Sequence, residues 1–144
     1  MDLVVVDLIP ALLTWESGGG SRVPEGAGEA LAEIFSRHRL AAIADAEQTG
    51  AALRRALEDH DLGGFFDSVG TSAGFGPVVT PRIVRRLAAA AGSTVVDTVV
   101  VTGRPGLAER LQQHRFGVVV TEGSDGFLGV PAALEAMEAG GLSR

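Results

Sequence analysis

Five short apolar runs, each followed by a segment of helical period, constrain this chain more than any other feature. They lie at 3–8 (LVVVDL), 40–45 (LAAIAD), 67–70 (DSVG), 97–102 (DTVVVT) and 117–121 (GVVVT). Runs this continuous suit strands covered on both faces, because a strand with one wet face would alternate apolar and polar residues. Helices are predicted over 25–37, 47–60, 81–91, 105–115 and 131–139. Four of them begin at or just after Pro24, Pro81, Pro105 or Pro131, and proline suits a first turn whose N–H groups have no intrahelical partner. Strand and helix alternating through right-handed crossovers give an α/β fold: a three-layer, doubly wound parallel sheet of about five strands.

A chain of 144 residues, 46% of them hydrophobic, is enough for one domain with a substantial core, so a single α/β domain over 1–144 is expected. Two stretches break the alternation. Residues 10–21, with Trp15 and the glycines Gly18, Gly19 and Gly20, read as a flexible Gly-rich excursion after the first strand; residues 71–80 form the second. The tail at 140–144 is expected to fray. No apolar run approaches the roughly 20 residues that span a bilayer, and Asp2 and Asp7 stand where a signal peptide would carry Lys or Arg. With no cysteine there is no disulfide framework or thiolate metal site, and a cytoplasmic location is expected. The net charge of −6 disfavours nucleic acid and anionic membrane as partners. All twelve cationic Lys and Arg positions are arginine, so chemistry that needs an ammonium or Schiff-base lysine is absent.

The order strand, small residue, helix, GGFFDSVGTS, Pro-opened helix, VVVTGRPGLAERLQQHRFGVVV resembles the haloacid dehalogenase superfamily over nearly the whole chain. The resemblance implies a Rossmann-like core and phosphoryl transfer through an aspartyl nucleophile at the end of the first strand. It also implies a second aspartate two residues on, a Ser or Thr after the second strand, a Lys, and a Mg²⁺-binding aspartate after the fourth strand with another acid five residues later. Mapped onto this sequence, Asp7 keeps the nucleophile's place, but Ile9 replaces the second acid and Ala44, beside Asp45, replaces the hydroxyl donor. The lysine's place falls on Val78, with Arg82 one turn further as a candidate substitute; the metal ligand's place falls on Arg104, and Glu109 takes the final acid's place.

Arg104 weighs most. Exchanging a carboxylate for a permanent cation changes the local charge by two units, and a metal ion about 4 Å away would meet about 4 kcal/mol of repulsion per unit of its charge at an effective dielectric of 20. No metal is therefore expected at the site. The resemblance implies that the fourth strand lies beside the first, which would bring Arg104 to Asp7, with Glu109 orienting the guanidinium. Residue chemistry alone leaves two roles open for Asp7: the remnant of a nucleophile, or a strand-end aspartate capping a turn. Asp45 and Glu47 likewise read as an N-cap followed by an acid in the first helical turn. His38, His60 and His114 fall near predicted helix ends, with no spacing that suggests a metal cluster.

Asp7 and Ala44 are 37 positions apart, and Ala44 and Val78 are 34 apart, which leaves no room for the cap domain through which relatives select small metabolites. The expected function is thus that of a catalytically degenerate binding, regulatory or assembly module, its partner a protein or a second copy meeting the exposed strand ends. The alternative is a phosphatase or phosphotransferase requiring Mg²⁺, with Asp7 as nucleophile, Arg82 or Arg104 on the phosphate and Glu109 or Asp45 as acid/base.

Overall fold

The computed structural model describes residues 2–123 and 125–142. Its centre is a parallel sheet of β1 (Leu3–Asp7), β4 (Arg39–Ala44), β5 (Ser68–Thr71), β6 (Thr98–Thr102) and β7 (Gly117–Val120), in the order β5-β4-β1-β6-β7. β1 lies in the middle, pairing Val6 with Ala42 on one side and with Val101 on the other. The fourth long strand is therefore the neighbour of the first.

Successive side chains of a strand point to opposite faces, so the wholly buried β1 serves two cores. Val4 and Val6, with Leu40, Ala42, Val99 and Val101, pack under α2 (Ala27–Phe35), α3 (Gly50–Asp59) and α6 (Val130–Leu142). Leu3 and Val5, with Ala41, Ile43 and Val100, pack under α4 (Pro81–Ala90) and α5 (Pro105–Gln113). Three layers result, and every parallel strand delivers its last residue to the same edge, where doubly wound folds place their ligands.

Helix starts differ from the sequence reading where local chemistry intervenes. The second helix begins at Gly50 and not near Glu47, because the Thr49 hydroxyl accepts the Ala52 N–H and caps the first turn. The first long helix begins at Ala27, since Gly26 takes φ +92°, a left-handed conformation that a helix interior does not use. Residues 10–21 hold more order than an irregular excursion. After the one-turn α1 (Leu8–Ala11), Leu12 and Leu13 are buried in the core, and β2 (Thr14–Trp15) pairs antiparallel with β3 (Ser21–Arg22). At the other end, α6 continues to Leu142, so 140–142 are helical where a frayed tail was expected, and 143–144 lie outside the described residues. No helix among the described residues is long and apolar enough to cross a membrane.

Candidate functional site: a closed carboxylate and guanidinium cluster

Asp7 ends β1, Asp45 follows β4 and Arg104 follows β6, so the sheet order sets all three at one edge. The Arg104 guanidinium closes the gap between the two acids. Its Nη2 donates to Asp7 Oδ1 at 2.8 Å and its Nε to Asp7 Oδ2 at 2.9 Å, a bidentate clamp. Its Nη1 donates to Asp45 Oδ2 at 2.8 Å. Asp45 is held in turn by the Val79 backbone N–H, which donates to Oδ1 at 2.8 Å and so ties in the segment before α4.

Thr102, the last residue of β6, completes the cluster. Its hydroxyl donates to Asp7 Oδ2 at 2.8 Å and accepts the Arg104 backbone N–H at 3.1 Å, which leaves it fully satisfied although buried. Sequence reasoning passed over Thr102. The available signal was a hydroxyl residue ending a strand beside one that ends in aspartate.

Among the described residues, every group that hydrogen-bonds the Asp7 carboxylate is a donor: two guanidinium N–H groups and one hydroxyl. A proton on either oxygen would face a donor, so the geometry is that of the carboxylate anion. Burial pushes the Asp7 carboxyl up from its ordinary value, against the pull of Arg104 and Thr102, with the charge of Asp45 adding to the rise. Burial alone would lower Arg104, but its bonds to Asp7 and then Asp45 carry it above its ordinary value, and it stays a cation.

Two residues singled out in the sequence stay outside this cluster. Glu109, expected to orient the guanidinium, is exposed on α5 and makes no hydrogen bond to Arg104 among the described residues; Asp45 does that work instead. Arg82 is exposed on the first turn of α4 and makes no ion pair among the described residues. Asp45 also does not cap a helix, because its carboxylate is engaged by Arg104 and Val79 and the cap falls to Thr49. Ile9 is half-buried against the core and Ala44 is buried, so neither offers a polar atom from its side chain.

The Mg²⁺ that this strand layout implies does not fit these residues. Both Asp7 oxygens are occupied by a permanent cation, and no group of three or more His, Cys, Asp or Glu residues among those described could hold a metal ion. A divalent ion about 4 Å from the guanidinium would meet roughly 8 kcal/mol of repulsion at an effective dielectric of 20.

The overall likeness to solved structures is plain. The chain superposes on a protein from Listeria monocytogenes with a TM-score of 0.75 at 13% identity, covering 96% of this chain and 99% of that one. It superposes on a haloacid dehalogenase-like family hydrolase from Xanthomonas campestris with a TM-score of 0.69 at 16% identity, covering 86% of this chain and 58% of that one. A HAD-superfamily hydrolase from Ehrlichia chaffeensis gives 0.63 at 16% identity, with 85% and 61% covered. The chain has a haloacid-dehalogenase-like fold. It spans under two thirds of the length of those two hydrolases, and no cap is present among the described residues. No protein-family model and no curated protein matches the sequence.

The haloacid-dehalogenase-like edge is closely fitted around Arg104. A Cβ built on the preceding Gly103 would lie 3.0 Å from Pro10 Cγ and 3.2 Å from Thr121 Oγ1. The Pro10 ring cannot rotate away, so Gly103→Ala is expected to lower stability by about 1–3 kcal/mol, the usual cost of overpacking. Urea unfolding of the two proteins measures it, and an unchanged midpoint would show that the edge yields freely.

Proposed function

We propose that this chain is a catalytically degenerate haloacid-dehalogenase-like domain that serves as a binding, regulatory or assembly module. One observation carries the reading: Asp7, in the nucleophile's place, is 0% exposed and both its oxygens are held by Arg104. An aspartyl nucleophile has to reach phosphorus along the line of the leaving group, with cationic charge stabilising the phosphoryl oxygens. Here the cation is spent on the carboxylate itself. Neither Ile9 nor Ala44 supplies the proton transfer or hydrogen bond that the reaction needs.

Without a cap, the strand-end edge is open to a macromolecule, and the partner is a protein or a second copy of this chain. The net charge of −6 argues against nucleic acid and anionic membrane as that partner. The absence of cysteine is in keeping with work in the reducing cytoplasm.

The test is release of phosphate from para-nitrophenyl phosphate with excess Mg²⁺, at high protein concentration and long incubation, comparing the wild type with Asp7→Asn. Equal background release from both proteins is expected. Release by the wild type that vanishes in the folded variant would overturn the reading and make Asp7 a working nucleophile, with Arg82 or Arg104 on the phosphate and Glu109 or Asp45 as acid/base.

A further inference from the structure

A cavity of about 270 Å³ opens beside the hairpin, and neither Asp7, Asp45 nor Arg104 lines it. Its apolar lining comes from Pro10, Leu12, Val23 and Pro24, with Leu12 belonging to the buried core. Its charged lining comes from three separate parts of the chain, all exposed: Arg22 ends β3, Glu25 precedes α2 and Asp125 follows β7. The side chains of these three make no hydrogen bond or ion pair among the described residues. One exposed cation and two exposed carboxylates, unpaired among the described residues, thus share a partly apolar hollow near the lower limit of small-molecule sites, about 300 Å³.

Charge selects the class of ligand. A simple anion would meet Arg22 but also two carboxylates and the field of a chain with net charge −6. A simple cation would meet the carboxylates and be repelled by Arg22. A molecule with both charges, separated by a short apolar body, can pair with both kinds of side chain and cover the proline and leucine lining. We propose that this cavity binds a small zwitterion of the amino acid type, its carboxylate on Arg22 and its ammonium on Glu25 and Asp125. The proposal rests on reading the chain as a binding module and names the class of molecule bound.

The test is titration of the ¹⁵N-labelled chain with 6-aminohexanoate, hexanoate and hexylamine, followed by amide chemical shifts. Saturable shifts at Thr14, Arg22, Val23, Glu25 and Asp125 are expected with the zwitterion, with binding at least tenfold weaker for either singly charged analogue. Arg22→Gln and Glu25→Gln should each weaken zwitterion binding severalfold, whereas Arg85→Gln, exposed on α4 and away from the cavity, should not alter it. The outcome is independent of phosphate release: Asp7-dependent hydrolysis would remove the non-catalytic reading and leave zwitterion binding standing, and the reverse pattern would remove only the cavity's role. Absence of saturable shifts with 6-aminohexanoate, or equal binding of hexylamine, would overturn the proposal.

Discussion

Replacing Arg104 with methionine is expected to lower the free energy of unfolding by about 3–5 kcal/mol at pH 8, the cost of leaving a buried charge without its partner, and by less as the pH falls. Asp7 is wholly buried and Arg104 supplies two of the three hydrogen bonds to its carboxylate. Methionine fills a similar volume but offers no donor, so only the Thr102 hydroxyl would remain. Burial already holds the Asp7 carboxyl above its ordinary value, and removing the opposing guanidinium lets it rise further. A raised carboxyl binds its proton more tightly in the folded chain than in the unfolded one. Stability is then greatest below the unfolded value of about 3.9 and is lost as pH rises through the folded value. Urea unfolding of the wild type and Arg104→Met across pH 5 to 8.5 should show the gap between them widening with pH. A gap independent of pH would mean that Asp7 is not the group left exposed to the loss. The double variant Asp7→Leu with Arg104→Met should recover most of the stability, because well-packed apolar residues replace a buried pair at little net cost.

The pair behind that result was legible in the sequence, but only through the layout of strands. Continuous apolar runs located β1 and β6 to within a residue, and the resemblance set the two strands side by side, which brought Arg104 to Asp7. The third member was harder to see. Asp45 is 59 positions from Arg104, and its acid beside Glu47 looks like the start of a helix; nothing local says that Thr49 will take the cap and leave Asp45 free to turn toward the sheet edge. Thr102 was missed for a related reason, since its part depends on the register that sets β6 against β1. The hairpin at Thr14–Trp15 and Ser21–Arg22 has two residues in each strand, too few for a period to show. What sequence pattern conveys well here is burial along an element. What it conveys poorly is a polar side chain's choice among partners that are distant in the chain.

Replacing Arg104 with aspartate reverses the logic of the site and is expected to make the stability of the protein depend on Mg²⁺. Asp7 and Asp45 now reach the same guanidinium at 2.8 Å, so the variant would hold three carboxylates around the space that the cation vacates. Without a divalent ion, their repulsion and the burial of Asp7 should cost at least as much as Arg104→Met does at neutral pH. With the ion present, three oxygen donors of the kind that magnesium prefers converge on one point. At a concentration tenfold above its dissociation constant, a ligand that binds only the folded state stabilises it by about 1.4 kcal/mol. Thermal unfolding with and without Mg²⁺ should therefore shift upward in Arg104→Asp and stay fixed in the wild type, whose guanidinium occupies the same space with the opposite charge. An equal response of the two proteins would place the binding elsewhere. No response in the variant would show that the guanidinium is not what keeps the ion out, and the burden would pass to Ile9 and Ala44, where the site lacks side-chain oxygen. A shift confined to the variant would mean that one residue separates this edge from a metal centre, and that the ion pair stands in the metal's place.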